Sequence, residues 1–73
     1  MTSLDKLSIG DVMTVRELEK NSRVRRRLLD MGITVGAMIK VRGKAPLGDP
    51  IEIGVRGYRL TLRKEEASIV LGE

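Results

Sequence analysis

Arg23, Arg25, Arg26 and Arg27 put four permanent positive charges into five consecutive positions. A guanidinium presents a planar fork of donors that matches carboxylates and phosphates. The chemistry on offer is therefore recognition of an anion rather than the breaking of a bond. A plainer reading stands beside it. Arginines keep a helix face soluble while their stems lie along the core, and charge runs usually mean solvation. One point favours the anion. These cations fall near a helix N-terminus, where the dipole disfavours each by ~0.3–1 kcal/mol, and an anionic visitor would offset that.

A second candidate is the run Ala45-Pro46-Leu47-Gly48-Asp49-Pro50. Pro46 suits position i+1 of a turn and Gly48 suits i+3, which makes Leu47 the tip. An apolar side chain on a rigid loop can anchor a partner. The plainer reading folds Leu47 back over the end of the core, and single exposed leucines are common in any case.

Bond-breaking chemistry lacks its usual groups. The chain has no Cys and no His, which removes nucleophile–base pairs, disulfides, and thiolate or imidazole metal sites. Glu65 and Glu66 are adjacent, and neighbours on a helical turn do not face one another, so they are poorly placed to share an ion. No Gly-Lys-Ser or Gly-Lys-Thr marks a phosphate loop. No catalytic residue, cofactor-binding residue or metal ligand is identified, and the chain reads as a non-enzyme. Lys40, Arg42, Arg56, Arg59 and Arg63 form either a basic stripe across a sheet or a set of exposed pairs with Glu52, Glu65 or Glu66, each worth ~0–1 kcal/mol.

The 73 residues make one domain, 1–73. A core this small is marginal. With no disulfide or thiolate metal site to help, it must be well packed or supported by weak homo-oligomerisation. The net charge of +4 favours an acidic partner. One Tyr, with no Phe or Trp, leaves no platform for stacking bases, which weighs against nucleic acid. Met1 to Ser8 has no apolar core of a signal peptide. The longest apolar stretch, Ala67 to Leu71, is far short of the ~20 residues that span a bilayer. The expectation is a cytoplasmic chain that does not insert into a membrane.

Short elements must position these residues. The first strand is read around Val12 to Arg16, with imperfect alternation. The segment Asn21 to Gly32 reads as the one helix, capped by Asn21 or Ser22. Val24, Leu28 and Met31 share a face widened by Leu29, and Gly32 stands at the C-terminal cap. Beyond it the period switches to two. Ala37, Ile39 and Val41, then Ile51, Ile53 and Val55, then Tyr58, Leu60 and Leu62 point inward. Gly57 implies a tight hairpin between Val55 and Tyr58. A helical turn at Lys64 to Glu66 precedes a last strand at Ala67 to Leu71. The fold class is mainly β: a small five-stranded barrel, SH3-like or OB-like, with one short α-helix after the first strand.

Three segments carry a resemblance. They are Arg26-Arg27-Leu28-Leu29-Asp30-Met31-Gly32-Ile33-Thr34-Val35-Gly36, Lys44-Ala45-Pro46-Leu47-Gly48-Asp49-Pro50-Ile51-Glu52-Ile53, and Leu62-Arg63-Lys64-Glu65-Glu66-Ala67. Together they resemble the ferrous iron transport protein A (FeoA) family, in the family's order and over nearly the whole chain. Val35 stands where many members have Pro. The resemblance implies an SH3-like barrel, a module also found as the C-terminal domain of some metal-dependent repressors. It implies an accessory role in ferrous iron uptake, through protein–protein interaction with the cytosolic region of the membrane transporter FeoB. It does not imply that the chain itself handles iron. The partner-binding candidates are Leu47, Pro46, Arg23, Arg25, Arg26 and Arg27. The alternative function is a basic nucleic-acid-binding small β-barrel.

Overall fold

The period-two segments become an antiparallel meander. β3 (Met38–Lys44), β4 (Ile51–Val55) and β5 (Tyr58–Leu62) follow one another, with Ile39 opposite Val55 and Ile51 opposite Leu62. The computed structural model describes residues 1–20 and 22–73. β2 (Val12–Leu18) pairs with β3 on one edge and with β6 (Val70–Gly72) on the other. A two-residue β1 (Thr2–Ser3) completes a six-stranded sheet in the order β1-β6-β2-β3-β4-β5. The sequence reading expected five strands. β1 is too short to show any periodicity, and only its pairing with β6 makes it a strand.

Two bulges set which side chains face inward. In β2 the register shifts between Val15 and Glu17, so Arg16 is the extra residue, and Leu18 rather than Glu17 is buried. That shift is why Leu18, three residues after Val15, is buried, since a bulge moves the pleat by one residue. Within Val12 to Arg16 the alternation is blurred by Val12, an apolar residue that stays exposed. In β3 the shift falls between Val41 and Gly43, which leaves Arg42 as the extra residue.

The helix is shorter than its segment. α1 spans Arg25–Asp30. Ser22 does not cap it. Val24 stands at the N-cap and no side chain there bonds to the first turn, while Ser22 Oγ accepts the Val24 N–H itself at 3.3 Å in a local turn ahead of the helix. Asn21, the other capping candidate, lies outside the described residues. Leu28 is fully buried, with Val24, Leu29 and Met31 packed half-buried around the same core. Gly32 ends the helix at φ 95°, a conformation that a Cβ disfavours. α2 (Lys64–Ala67) is the helical turn expected after β5. The last strand starts at Val70, later than expected, because Ala67 still belongs to this turn.

Leu4, Met13, Val15, Leu28, Ile33, Ile39, Val41, Ile51, Ile53, Leu62 and Val70 fill one continuous core. Tyr58 does not join them. The alternation placed it inward with Leu60 and Leu62, yet Tyr58 is exposed and Leu60 half-buried. The hairpin tip runs past the end of the core. There the amphipathic ring serves its hydroxyl instead, which donates to the Met31 carbonyl.

Candidate functional site

The loop between β3 and β4 is a closed turn on a fixed base. The Gly48 N–H donates to the Ala45 carbonyl at 2.8 Å, and the Ala45 N–H donates to the Pro50 carbonyl at 3.0 Å. Asp49 Oδ1 accepts the Lys64 N–H at 3.1 Å and lies 4.0 Å from Arg63. Leu47 occupies position i+2 at φ 72°, ψ 7°. A type II turn demands a left-handed residue there and favours Gly or Asn. Leu47 is also 98% exposed, so it does not fold back over the core. The left-handed backbone costs ~1–2 kcal/mol for a residue with a Cβ, and burial returns nothing. Folding gives no reason for leucine at this position.

The arginines divide into separate environments. Arg27 reaches Glu66 Oε2 at 2.9 Å. Glu66 is 3% exposed, and its other oxygen accepts the Arg63 N–H at 2.8 Å. Arg27 therefore has a structural task, closing the charge of a buried carboxylate although its own side chain is largely exposed. Arg26 pairs with Asp30 one turn on, at 3.4 Å, both side chains well exposed. Arg23 and Arg25 are exposed and have no carboxylate partner among the described residues.

The five sheet cations are also parted. Arg56 borders the face, but the fold itself holds its donors. Its Nε donates to the Gly32 carbonyl at 3.0 Å and its Nη2 to Thr34 Oγ1 at 2.7 Å. With Tyr58 it ties the β4–β5 hairpin to the end of α1, where carbonyls lack helical partners and a cation is favoured. Arg63 goes to Asp49 and Arg59 to Glu52 at 3.5 Å. Of the expected pairings, only Arg59 with Glu52 occurs. Asp49 was missed as a partner because it is distant in sequence and local only in the fold. Lys40, Arg42 and Arg59 remain together on the outer face.

Among the described residues, no three Asp or Glu side chains come together as a metal would require. No helix among them is long and apolar enough to cross a membrane.

The FeoA domain family matches residues 2–73. An Fe(2+) transport protein A/Fe(2+) transporter FeoB fusion protein of Porphyromonas gingivalis is 35% identical over 65 residues. That match covers 89% of this chain but only 8% of the length of the fusion. The FeoA-like protein of Clostridium acetobutylicum superposes with a TM-score of 0.93 at 44% identity, covering 99% of this chain and 84% of that one. FeoA of Stenotrophomonas maltophilia, solved with zinc and described as a prokaryotic SH3 domain protein, gives a TM-score of 0.75 at 28% identity, covering 100% and 91%. The small β fold found here has that SH3-like architecture. With the family matched from the second residue to the last, this chain belongs to the FeoA domain family.

Proposed function

We propose that this chain is a cytoplasmic, non-catalytic accessory module of ferrous iron uptake that binds the cytosolic region of a FeoB-type transporter and modulates its activity. The observation that carries the proposal is the Porphyromonas gingivalis relative, in which the A component and the FeoB transporter form one polypeptide. Fusion holds two parts at high effective concentration, which is useful when separate copies must associate. The contact surface is Leu47 on its Pro46 turn, together with the exposed Arg23, Arg25 and Arg26 of the helix region. Leu47 offers an apolar anchor held in advance of binding, so little freedom is lost when it docks. Arg27 stays in this set, because its side chain is exposed, but it also holds Glu66, so its substitution perturbs the fold as well as the surface.

The test is a backbone amide NMR titration with the purified cytosolic region of the cognate transporter at physiological salt. Shifts around Leu47 or Arg23 to Arg27, lost in folded Leu47→Ser and Arg26→Glu variants, are the expected result. A shift-free spectrum at near-millimolar partner would exclude direct binding to that region. If duplex DNA bound instead, with log affinity falling by about 0.9 per phosphate against log salt, the nucleic-acid alternative would replace this one.

A further inference from the structure

A shallow groove of about 430 Å³ lies on the outer face of β3, β4 and β5. Cross-strand register sets Val12, Lys40, Gly54 and Arg59 in one row across four strands. Gly54 leaves a gap at the middle of that row, and Arg42 fills it. A Cβ built on Gly54 would stand 2.7 Å from Arg42 Nε. Arg42 is the extra residue of the β3 bulge and lies on the same exposed face as Lys40. Val12 and Met38, 50% and 64% exposed, form an apolar margin beside the cations.

The groove carries positive charge that the fold does not use. Among the described residues, Lys40 and Arg42 have no carboxylate partner, and Arg59 has only Glu52 at 3.5 Å. Side chains that open to water exchange such a partner readily for a ligand's carboxylate. Arg42 and Arg59 both offer forked donors suited to that group.

We propose that this groove binds an extended acidic peptide, supplied by a protein partner, in which an apolar side chain is flanked by carboxylates. Charge complementarity assigns the carboxylates to Lys40, Arg42 and Arg59. The apolar side chain belongs against Met38 and Val12, where a flexible thioether adapts to varied shapes. A nucleic-acid strand fits less well. It stacks its bases on aromatic faces, and the groove has only Tyr58, whose hydroxyl is held by Met31. The site is distinct from Leu47, which adjoins the Ile51 end of β4, whereas the groove lies toward Val55. It does not depend on the transporter being the partner.

The test titrates the isotope-labelled full chain with the blocked peptide Glu-Asp-Leu-Asp-Glu, with its neutral analogue Gln-Asn-Leu-Asn-Gln, and with a ten-residue thymidine oligonucleotide. The acidic peptide should shift the amides of Lys40, Gly54 and Arg59, and the neutral analogue should bind at least about tenfold more weakly. Arg42→Ala and Gly54→Ala should each weaken binding about three- to tenfold, with circular dichroism showing both folded. Gly54→Ala keeps every charge and displaces only Arg42, so its effect separates a shaped groove from general attraction to a basic protein. Equal binding of the neutral peptide, unchanged affinity in both variants, or tighter binding of the oligonucleotide would overturn the proposal. So would absence of any shift at millimolar peptide. Concentration-dependent shifts of these amides without peptide would overturn it in favour of a second copy of the chain.

Discussion

Arg27 closes a 2.9 Å ion pair on Glu66, linking the middle of α1 to the turn that precedes the last strand. The carboxylate is almost wholly buried, and its second oxygen caps α2 through the Arg63 N–H. All four clustered arginines are exposed, and one of them also serves the fold. The difference matters for every charge-reversal experiment on this segment.

The Glu66 pair sets a first expectation. Glu66→Ala removes both the cap and the ion pair, and should lower stability by ~1–2 kcal/mol in urea unfolding. Arg27→Ala should lower it by ~1 kcal/mol, since it leaves the buried carboxylate with only its backbone donor. Arg25→Ala should stay within about 0.5 kcal/mol of the parent, as an exposed residue without such a partner. Equal effects at Arg25 and Arg27 would show that the pair contributes nothing in solution.

Leu47 should separate stability from binding. Leu47→Gly relieves a left-handed backbone and loses no buried surface, so the fold should gain ~0.5–1 kcal/mol after the entropy of the freer unfolded glycine is counted. The same variant should bind the cytosolic transporter region about tenfold or more weakly, as an anchor residue would require. Thermal unfolding reads the first effect and calorimetry the second. A variant that is both more stable and equally tight in binding would remove Leu47 from the interface.

The clasp at the end of α1 can be opened from either side. Arg56→Ala loses the bonds to Gly32 and Thr34 and should cost ~0.5–1.5 kcal/mol. Gly32→Ala should cost more, ~2 kcal/mol, because it combines a left-handed backbone with a Cβ that would meet the Tyr58 hydroxyl at 2.7 Å. Amide hydrogen exchange should quicken at Met31 and Gly32 in both variants. Unaltered exchange there would mean that the hairpin does not hold the helix end.

The helix face gives a contrast between neighbours. Leu28 is fully buried and Leu29 half-buried. Leu28→Ala should cost ~2–4 kcal/mol through lost transfer energy and the cavity left behind. Leu29→Ala should cost less than half as much, because less of its surface leaves water on folding. Similar midpoint shifts in urea would contradict this placement of the helix on the core.

The strands from Met38 onward were legible because alternation is imposed locally by the pleat, and Ile39, Val41, Ile51, Ile53 and Leu62 obey it. The turn at Leu47 was legible for a similar reason. Pro46 and Gly48 carry their own backbone preferences, and the Gly48-to-Ala45 hydrogen bond follows from them. The same logic failed at Tyr58, where the pattern continued but the core had ended.

By itself the sequence determined a mainly β chain with one docked helix, a turn with Leu47 at its tip, though not whether that side chain folds back, and an excess of arginine without the Cys or His that most site chemistry needs. These follow from residue types and short spacings, which the local backbone geometry translates directly. Only the tertiary structure decided that Arg27 meets Glu66, that Arg56 caps α1, and that Arg42 lies over Gly54 beside Lys40 and Arg59. Each of these depends on strand register and on how elements dock. A single extra residue, as at Arg16 or Arg42, shifts the register by one position and changes the face taken by the residues that follow it in that strand.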